Sequence, residues 1–154
     1  MFTSYTVLLT LHVVCAVLWI GGGATLHVIG RRVLASGDRK RMQDYSRDAD
    51  FIGPRFYAPL SLVLLVAGML LVDKVGGDFS DTWISLGLAG WIVSFVIGIL
   101  YYPRAARRRE AIVDSDGLDS DVYLAQFRQV SSVNLIELTI LLLVIADMTL
   151  KPGS

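Results

Sequence analysis

Cysteine and histidine are nearly absent from this chain, which has one of the former and two of the latter. A lone thiol, Cys15, forms neither an internal disulfide nor a thiolate cluster, so an oxidised scaffold and a cysteine-built metal centre are both excluded. No glycine-rich nucleotide loop, no Ser-His-Asp order and no His-Glu-x-x-His pair is present, which removes the enzyme classes that those signatures mark. Charge of one sign is not in excess either, because 14 basic and 14 acidic residues cancel. Nucleic acid is therefore not an expected partner. What the chain has instead is long stretches with hardly any charge at all.

Hydrophobic residues fill 54% of the 154 positions and the mean hydropathy is +0.58, against an apolar share of roughly 45–50% in soluble domains. They gather in four runs, at residues 5–30, 54–73, 82–102 and 129–150. Each run has about the 20 residues that cross a bilayer core as a helix. Arg31, Arg32, Arg39, Lys40, Arg41, Arg47 and Arg55 follow the first run or open the second, while Arg104, Arg107, Arg108, Arg109 and Arg128 lie between the third and fourth. That places 12 of the 14 basic residues on one side. The positive-inside bias makes this side the cytoplasm and puts both chain ends and the loop at 73–81 outside. Short connections leave no room for a separate soluble domain. The expected molecule is all-α, a single integral membrane four-helix bundle (residues 1–154) in a bacterial inner membrane. Its partners are membrane lipid and either further copies of itself or other membrane subunits.

Within the first run Gly21-Gly22-Gly23 reads as a packing notch or a bend, since small residues let helices approach closely in lipid. Residues 33–52 are too polar to span, yet Met42, Tyr45, Ala49 and Ile52 recur at helical spacing. That pattern predicts a short amphipathic helix on the inner membrane surface. Residues 104–127 repeat it, with Leu118, Val122 and Ala125 on the apolar face, so both cytoplasmic loops are expected to carry such helices. The second run is expected to start at Gly53-Pro54 with a kink at Pro59, and the third to stop at Pro103. Trp83 and Tyr101-Tyr102 read as interfacial anchors at its two ends. The two hairpins resemble each other enough in layout to suggest a parallel internal repeat.

Ionisable and polar side chains inside spans are costly and carry a functional hypothesis by default. They are His12, His27, Asn134, Glu137 and Asp147. A rise of ~1.5 Å per residue from the inner boundary sets His12 and Asp147 about 27 Å up, Cys15 and Met69 about 22 Å, Met148 about 28 Å and Glu137 about 12 Å. An outer cluster of His12, Cys15, Met69, Met148 and Asp147 follows. Imidazole with thiol or thioether sulfur is a ligand set for Cu(I). His12 equally suits a b-type haem, with Met69 or Met148 opposite. A third alternative has His12 bonding Asp147 or a backbone carbonyl, with the methionines as packing. The inner cluster is Glu137 facing the glycine notch, with Asn134 one turn below and Ser131-Ser132 nearer the cytoplasm. A carboxyl in low dielectric prefers its neutral form, so Glu137 reads as an interhelical hydrogen-bond donor or as one station of a proton path. His27 lies near Arg31 at the interface, about 22 Å along the helix from His12, too far for the two to share an ion.

The stretch 11–23, Leu-His-Val-Val-Cys-Ala-Val-Leu-Trp-Ile-Gly-Gly-Gly, resembles the first-helix motif of a broad group of bacterial membrane proteins. The group includes the copper-resistance protein D family, the membrane-bound protoporphyrinogen oxidases and a family of predicted four-span integral membrane proteins of unknown function. The length, the Arg31-Arg32 pair and the proline after the third span resemble the last of these most. In the two characterised families the first-helix histidine is functional, so the resemblance points to His12. The oxidase family pairs that histidine with an intramembrane lysine, and the second and third spans here have none between their ends. Three functions are carried forward: copper or b-type haem binding through His12 for metal handling or electron transfer, a cofactor-free accessory or scaffold subunit and, last, a small transporter or proton-coupled enzyme centred on Glu137.

Overall fold

The computed structural model describes residues 3–151, and every regular element among them is helical. Helix α1 covers Ser4–Ser36, α2 Arg39–Ile52, α3 Ala58–Val75, α4 Thr82–Val96, α5 Tyr102–Asp116 and α6 Asp121–Leu150. Turns of π-helix at Gly53–Tyr57 and Ile97–Tyr101 fuse α2 to α3 and α4 to α5. Four rods result, Ser4–Ser36, Arg39–Val75, Thr82–Asp116 and Asp121–Leu150, each long and apolar enough to cross a membrane. They form the four-helix bundle that the hydropathy pattern implies.

Local chemistry sets the ends of the rods. The Thr3 hydroxyl caps α1 by accepting from the Thr6 N–H at 3.2 Å. Gly37, at φ 68°, takes the left-handed conformation that closes α1, a position where a side chain would be strained. Asp38 then caps α2 through the Arg41 N–H at 3.1 Å, so two residues suffice to reverse the chain. Ser120 caps α6 in the same way, accepting from the Tyr123 N–H at 3.2 Å.

The prolines do not end helices. The Ala58 N–H bonds the Gly53 carbonyl and the Tyr102 N–H bonds the Ile97 carbonyl, the five-residue reach of a π turn. Pro59 and Pro103 are each the second residue after their π turn. A proline lacks the N–H that would serve the carbonyl four residues back and its ring crowds that carbonyl. In both rods that carbonyl, of Arg55 or Ile99, lies in the middle of the widened turn, which gives the ring room. The third rod therefore continues past Pro103, where a stop is expected. Since the π turns fall in the second rod of one hairpin and the first rod of the other, the hairpins do not match in this feature as a parallel repeat would.

Rods of 30 to 37 residues measure about 45–55 Å, well beyond the ~30 Å hydrocarbon core. The excess projects at the arginine-rich end, and there the amphipathic segments differ from expectation. They stand up as continuations of the rods and pack on each other. Val33, Met42, Ile112, Tyr123 and Phe127 form a cluster of buried apolar side chains, with Leu34, Tyr45, Val113, Leu118 and Leu124 against it. Met42 and Tyr123 are fully buried. Burying the apolar faces of α2 and α5 against one another removes them from water as a membrane surface would, and it also meets partners of fixed shape. Buried Arg109 pairs with Asp50 across this core, and the Gln126 amide donates to the Ala105 carbonyl at 2.9 Å.

Along the apolar lengths, α1 packs on α3 and α6, and α6 on α4, while α3 and α4 touch much less. Trp91 bridges that weaker seam by donating its indole N–H to the Ser61 carbonyl at 3.0 Å. Only 11% to 22% of the residues in the most apolar stretch of each rod are buried within the chain, which leaves a large apolar surface for lipid to cover.

Candidate functional site

The polar residues of the spans do not gather where the depth estimate set them in the outer half. His12, on α1, turns to the α2–α3 rod, and its Nδ1 lies 3.0 Å from the Leu64 carbonyl oxygen. A carbonyl only accepts, so Nδ1 carries a proton and donates it, and Nε2 is the ring nitrogen left without a partner in this bond. Gly68 makes the seat: a methyl group there would stand 2.9 Å from Cε1 and 3.1 Å from Nδ1 of the imidazole. Of the alternatives for His12, the backbone bond is the one present, and Asp147 is not its partner. Asp147 Oδ2 is buried without a hydrogen-bond partner among the described residues.

The three sulfurs differ in their surroundings. Cys15 is buried at 3% exposure. Met69 is 45% exposed on the lipid-facing side of α3. Met148 presses into Gly87 of α4, so it faces a different helix from His12. Among the described residues no three His, Cys, Asp or Glu side chains form a metal-binding group. His12 thus turns to the α2–α3 rod, Met69 to the lipid and Met148 to α4.

The inner half is where polar groups meet. Glu137 of α6 is 8% exposed and both its carboxyl oxygens are engaged from the opposite rod. The Ser94 hydroxyl of α4 donates to Oε1, and the Tyr102 hydroxyl of α5 donates to Oε2 at 2.6 Å. Asn134, one turn below Glu137, is a further polar neighbour of the Tyr102 hydroxyl. Its Oδ1 lies 3.1 Å from His27 Nδ1 on α1, and because an amide oxygen only accepts, Nδ1 is the donor. A chain of polar contacts thus runs His27, Asn134, Tyr102, Glu137, Ser94 and joins three of the four rods. His27 also borders an open cavity at the arginine-rich end.

Glu137 does not face the glycine triplet. Gly22 receives Tyr57, whose hydroxyl oxygen would be 2.5 Å from a methyl group there, and nothing lies within 4 Å of such a group at Gly21 or Gly23. Ser94 and Tyr102 are the members that sequence reasoning passed over. Counting rise from the inner boundary, as for Glu137, sets Ser94 about 12 Å up, level with the carboxyl. Tyr102 reads as an interfacial anchor, but its long side chain turns inward and lifts the hydroxyl to the carboxyl. His27 and Asn134 come out about 5 Å and 8 Å up by the same count, so their pairing was within reach of it.

An all-helical bundle of four apolar rods, carrying one buried carboxyl and a lipid-facing surface, defines a polytopic integral membrane protein. Residues 6–152 match the DUF2269 family, described as predicted integral membrane proteins, and the chain belongs to that family. No curated protein and no solved structure matches it significantly. Nothing in these comparisons extends the likeness to the copper-resistance or oxidase families.

Proposed function

We propose that the protein handles protons in the cell membrane, with its arginine-rich end in the cytoplasm, both termini outside, and Glu137 as the group that gains and loses the proton. One observation carries this reading: each carboxyl oxygen of Glu137 is held by a hydroxyl. Ser and Tyr hydroxyls donate and accept equally well. With Glu137 ionised, both donate to it. With Glu137 protonated, Ser94 accepts its proton and turns its own O–H back to a carbonyl of α4, as serines in helices commonly do. Both protonation states are then satisfied, whereas a purely structural carboxyl needs only one. Tyr102 passes its hydroxyl proton to Glu137 and takes its replacement from a hydronium ion of the cytoplasmic water, while Asn134, bonded to His27, holds the tyrosine in place.

Infrared difference spectra of the protein in lipid, taken between alkaline and acid buffer, test this. A protonated-carboxyl band that disappears in Glu137→Gln and forms more slowly in Tyr102→Phe is expected. Absence of any such band in the wild type, with a Glu137→Gln protein that is otherwise unaltered, leaves the scaffold reading in its place.

A second reading keeps His12 as a ligand for copper or b-type haem. It is favoured by the bond from Nδ1 to a backbone carbonyl, since ligating histidines commonly donate their other ring N–H in that way and so expose the opposite nitrogen. The opposing ligand would come from a second copy, for which lipid-facing Met69 is available. A Soret band or stoichiometric copper that is lost in His12→Ala supports it, and colourless, metal-free protein after haem and copper supplementation removes it.

A further inference from the structure

We infer that the arginine-rich end of the bundle binds a phosphate group, in the cavity between α1 and α6. The cavity holds about 250 Å³, and its polar wall is Arg31, Arg128, His27, Ser131 and Ser132. Helical spacing builds it: Arg31 follows His27 by four residues on α1, and Ser131 and Ser132 follow Arg128 by three and four on α6. Each helix therefore offers a guanidinium and shorter polar groups to one space.

Two features point to an anion. Neither arginine has a carboxylate within ion-pair distance, for the ion pairs among the described residues are Lys40–Asp44 and Arg109–Asp50. This is so although acids are interspersed with the basic residues along both neighbouring connections. The Ser131 hydroxyl makes no hydrogen bond among the described residues, whereas Ser132 donates to the Arg128 carbonyl at 3.0 Å. Two unneutralised guanidinium forks and a free hydroxyl suit a tetrahedral oxyanion, whose oxygens take paired N–H donors.

The place narrows the source. The cavity adjoins Leu34 and Leu135 and lies where the apolar runs give way to charge, the level of lipid headgroups. A phosphodiester of an anionic lipid fits with its glycerol against these leucines, and a soluble phosphate fits the same donors. The site stands on the arginine pair and does not depend on proton movement at Glu137.

Native mass spectrometry of protein released from nanodiscs tests it, comparing pure phosphatidylcholine with a mixture containing phosphatidylglycerol. Wild-type protein is expected to retain phosphatidylglycerol, and Arg31→Gln with Arg128→Gln to weaken retention about tenfold or more for the pair. Arg31→Lys with Arg128→Lys should fall between, keeping charge and losing the fork. A charge-matched control, Arg41→Gln with Arg107→Gln, alters exposed arginines that do not border the cavity and should retain lipid as wild type does. In pure phosphatidylcholine discs, phosphorus-31 line broadening of added inorganic phosphate that vanishes in the glutamine pair assigns the site to a soluble phosphate. The inference is overturned if the glutamine pair retains phosphatidylglycerol and broadens phosphate like wild type. Equal loss in the Arg41/Arg107 control overturns it too, since the effect would then be general surface charge.

Discussion

Replacing Met42 and, separately, Met69 by alanine makes one chemical change at two places that the fold treats in opposite ways. Met42 is 0% exposed and packs among Val33, Ile112, Tyr123 and Phe127, beyond the apolar lengths of the rods. Met69 is 45% exposed on α3. Truncation removes three side-chain heavy atoms, which at about 0.8 kcal/mol for each methylene-sized group amounts to roughly 2.5 kcal/mol of lost transfer from water. A residual void of about 50 Å³ at ~24 cal/mol per Å³ adds roughly 1.2 kcal/mol, so Met42→Ala should cost about 3–4 kcal/mol. Met69 faces hydrocarbon, which is as apolar as the side chain and flows into the space left, so Met69→Ala should cost under about 1 kcal/mol. Reversible unfolding in mixed micelles, with the denaturing detergent fraction titrated and helicity followed by circular dichroism, measures both. A clear loss for Met42→Ala beside a small one for Met69→Ala is expected. Equal losses, or a larger one at Met69, would refute the reasoning and return α2 and α5 to the membrane surface.

Other outcomes follow from single contacts. Gly68→Ala should push the His12 ring off the Leu64 carbonyl and cost about 1 kcal/mol, the worth of one neutral hydrogen bond. In a His12→Ala background most of that cost should vanish, and strict additivity in the double-mutant cycle would show that the seat does not exist. Ser94→Ala and Tyr102→Phe each leave a Glu137 oxygen without its partner and should cost about 1–3 kcal/mol, but little in a Glu137→Leu background. Penalties of the same size in both backgrounds would exclude the cluster. In the 76–81 loop, the Ser80 N–H donates to Asp78 Oδ1 at 2.8 Å, and this bond holds the carboxyl below the ordinary carboxylate range. Carbon-13 titration should find Asp78 still ionised near pH ~3.9, where an unperturbed aspartate is half protonated. The stabilisation it lends the loop is then present above the unfolded pKa and fades as pH falls through the lower folded value. Titration at or above the ordinary value would contradict the bond.

Much of the fold is legible in hydropathy, because a bilayer permits few alternatives to a helix of about 20 apolar residues. The depth of each span residue is legible too, since rise per residue is fixed; that is how Glu137 and Ser94 come level. Rotation about the helix axis is not. His12 and Met148 have similar depths and face different helices, and depth alone could not tell them apart. The fate of residues 33–52 was hidden for another reason. An amphipathic face states that something apolar covers it, and lipid and a second amphipathic face satisfy Met42 and Tyr45 equally. Pro103 misled because its cost in an ordinary α-helix is real, yet a π turn that ends two residues earlier relieves it and leaves no mark in composition.

The glycines show that the two hairpins are held by different means. On the seam between α1 and the α2–α3 rod, three glycines receive polar-tipped rings: Gly22 faces Tyr57, Gly30 faces Tyr45 and Gly68 faces His12. Two of these rings bond a backbone carbonyl four residues before the glycine. Tyr45 donates to Leu26 at 2.8 Å, and His12 reaches Leu64 at 3.0 Å. Helical Cα–Cβ bonds lean toward the N-terminus, so a side chain at the fourth residue would screen that carbonyl, and glycine uncovers it. On the seam between α4 and α6 the glycines take aliphatic knobs instead, Met148 at Gly87 and Val144 at Gly90. Aliphatic packing tolerates small slides along the axis, whereas a hydrogen bond to one carbonyl fixes a register. The first hairpin is thereby pinned by direction as well as by shape. In the second, directed bonds along the apolar length come from Glu137, whose hydroxyl partners Ser94 and Tyr102 lie on the other rod. That places the buried carboxyl where it sets the register of its own hairpin.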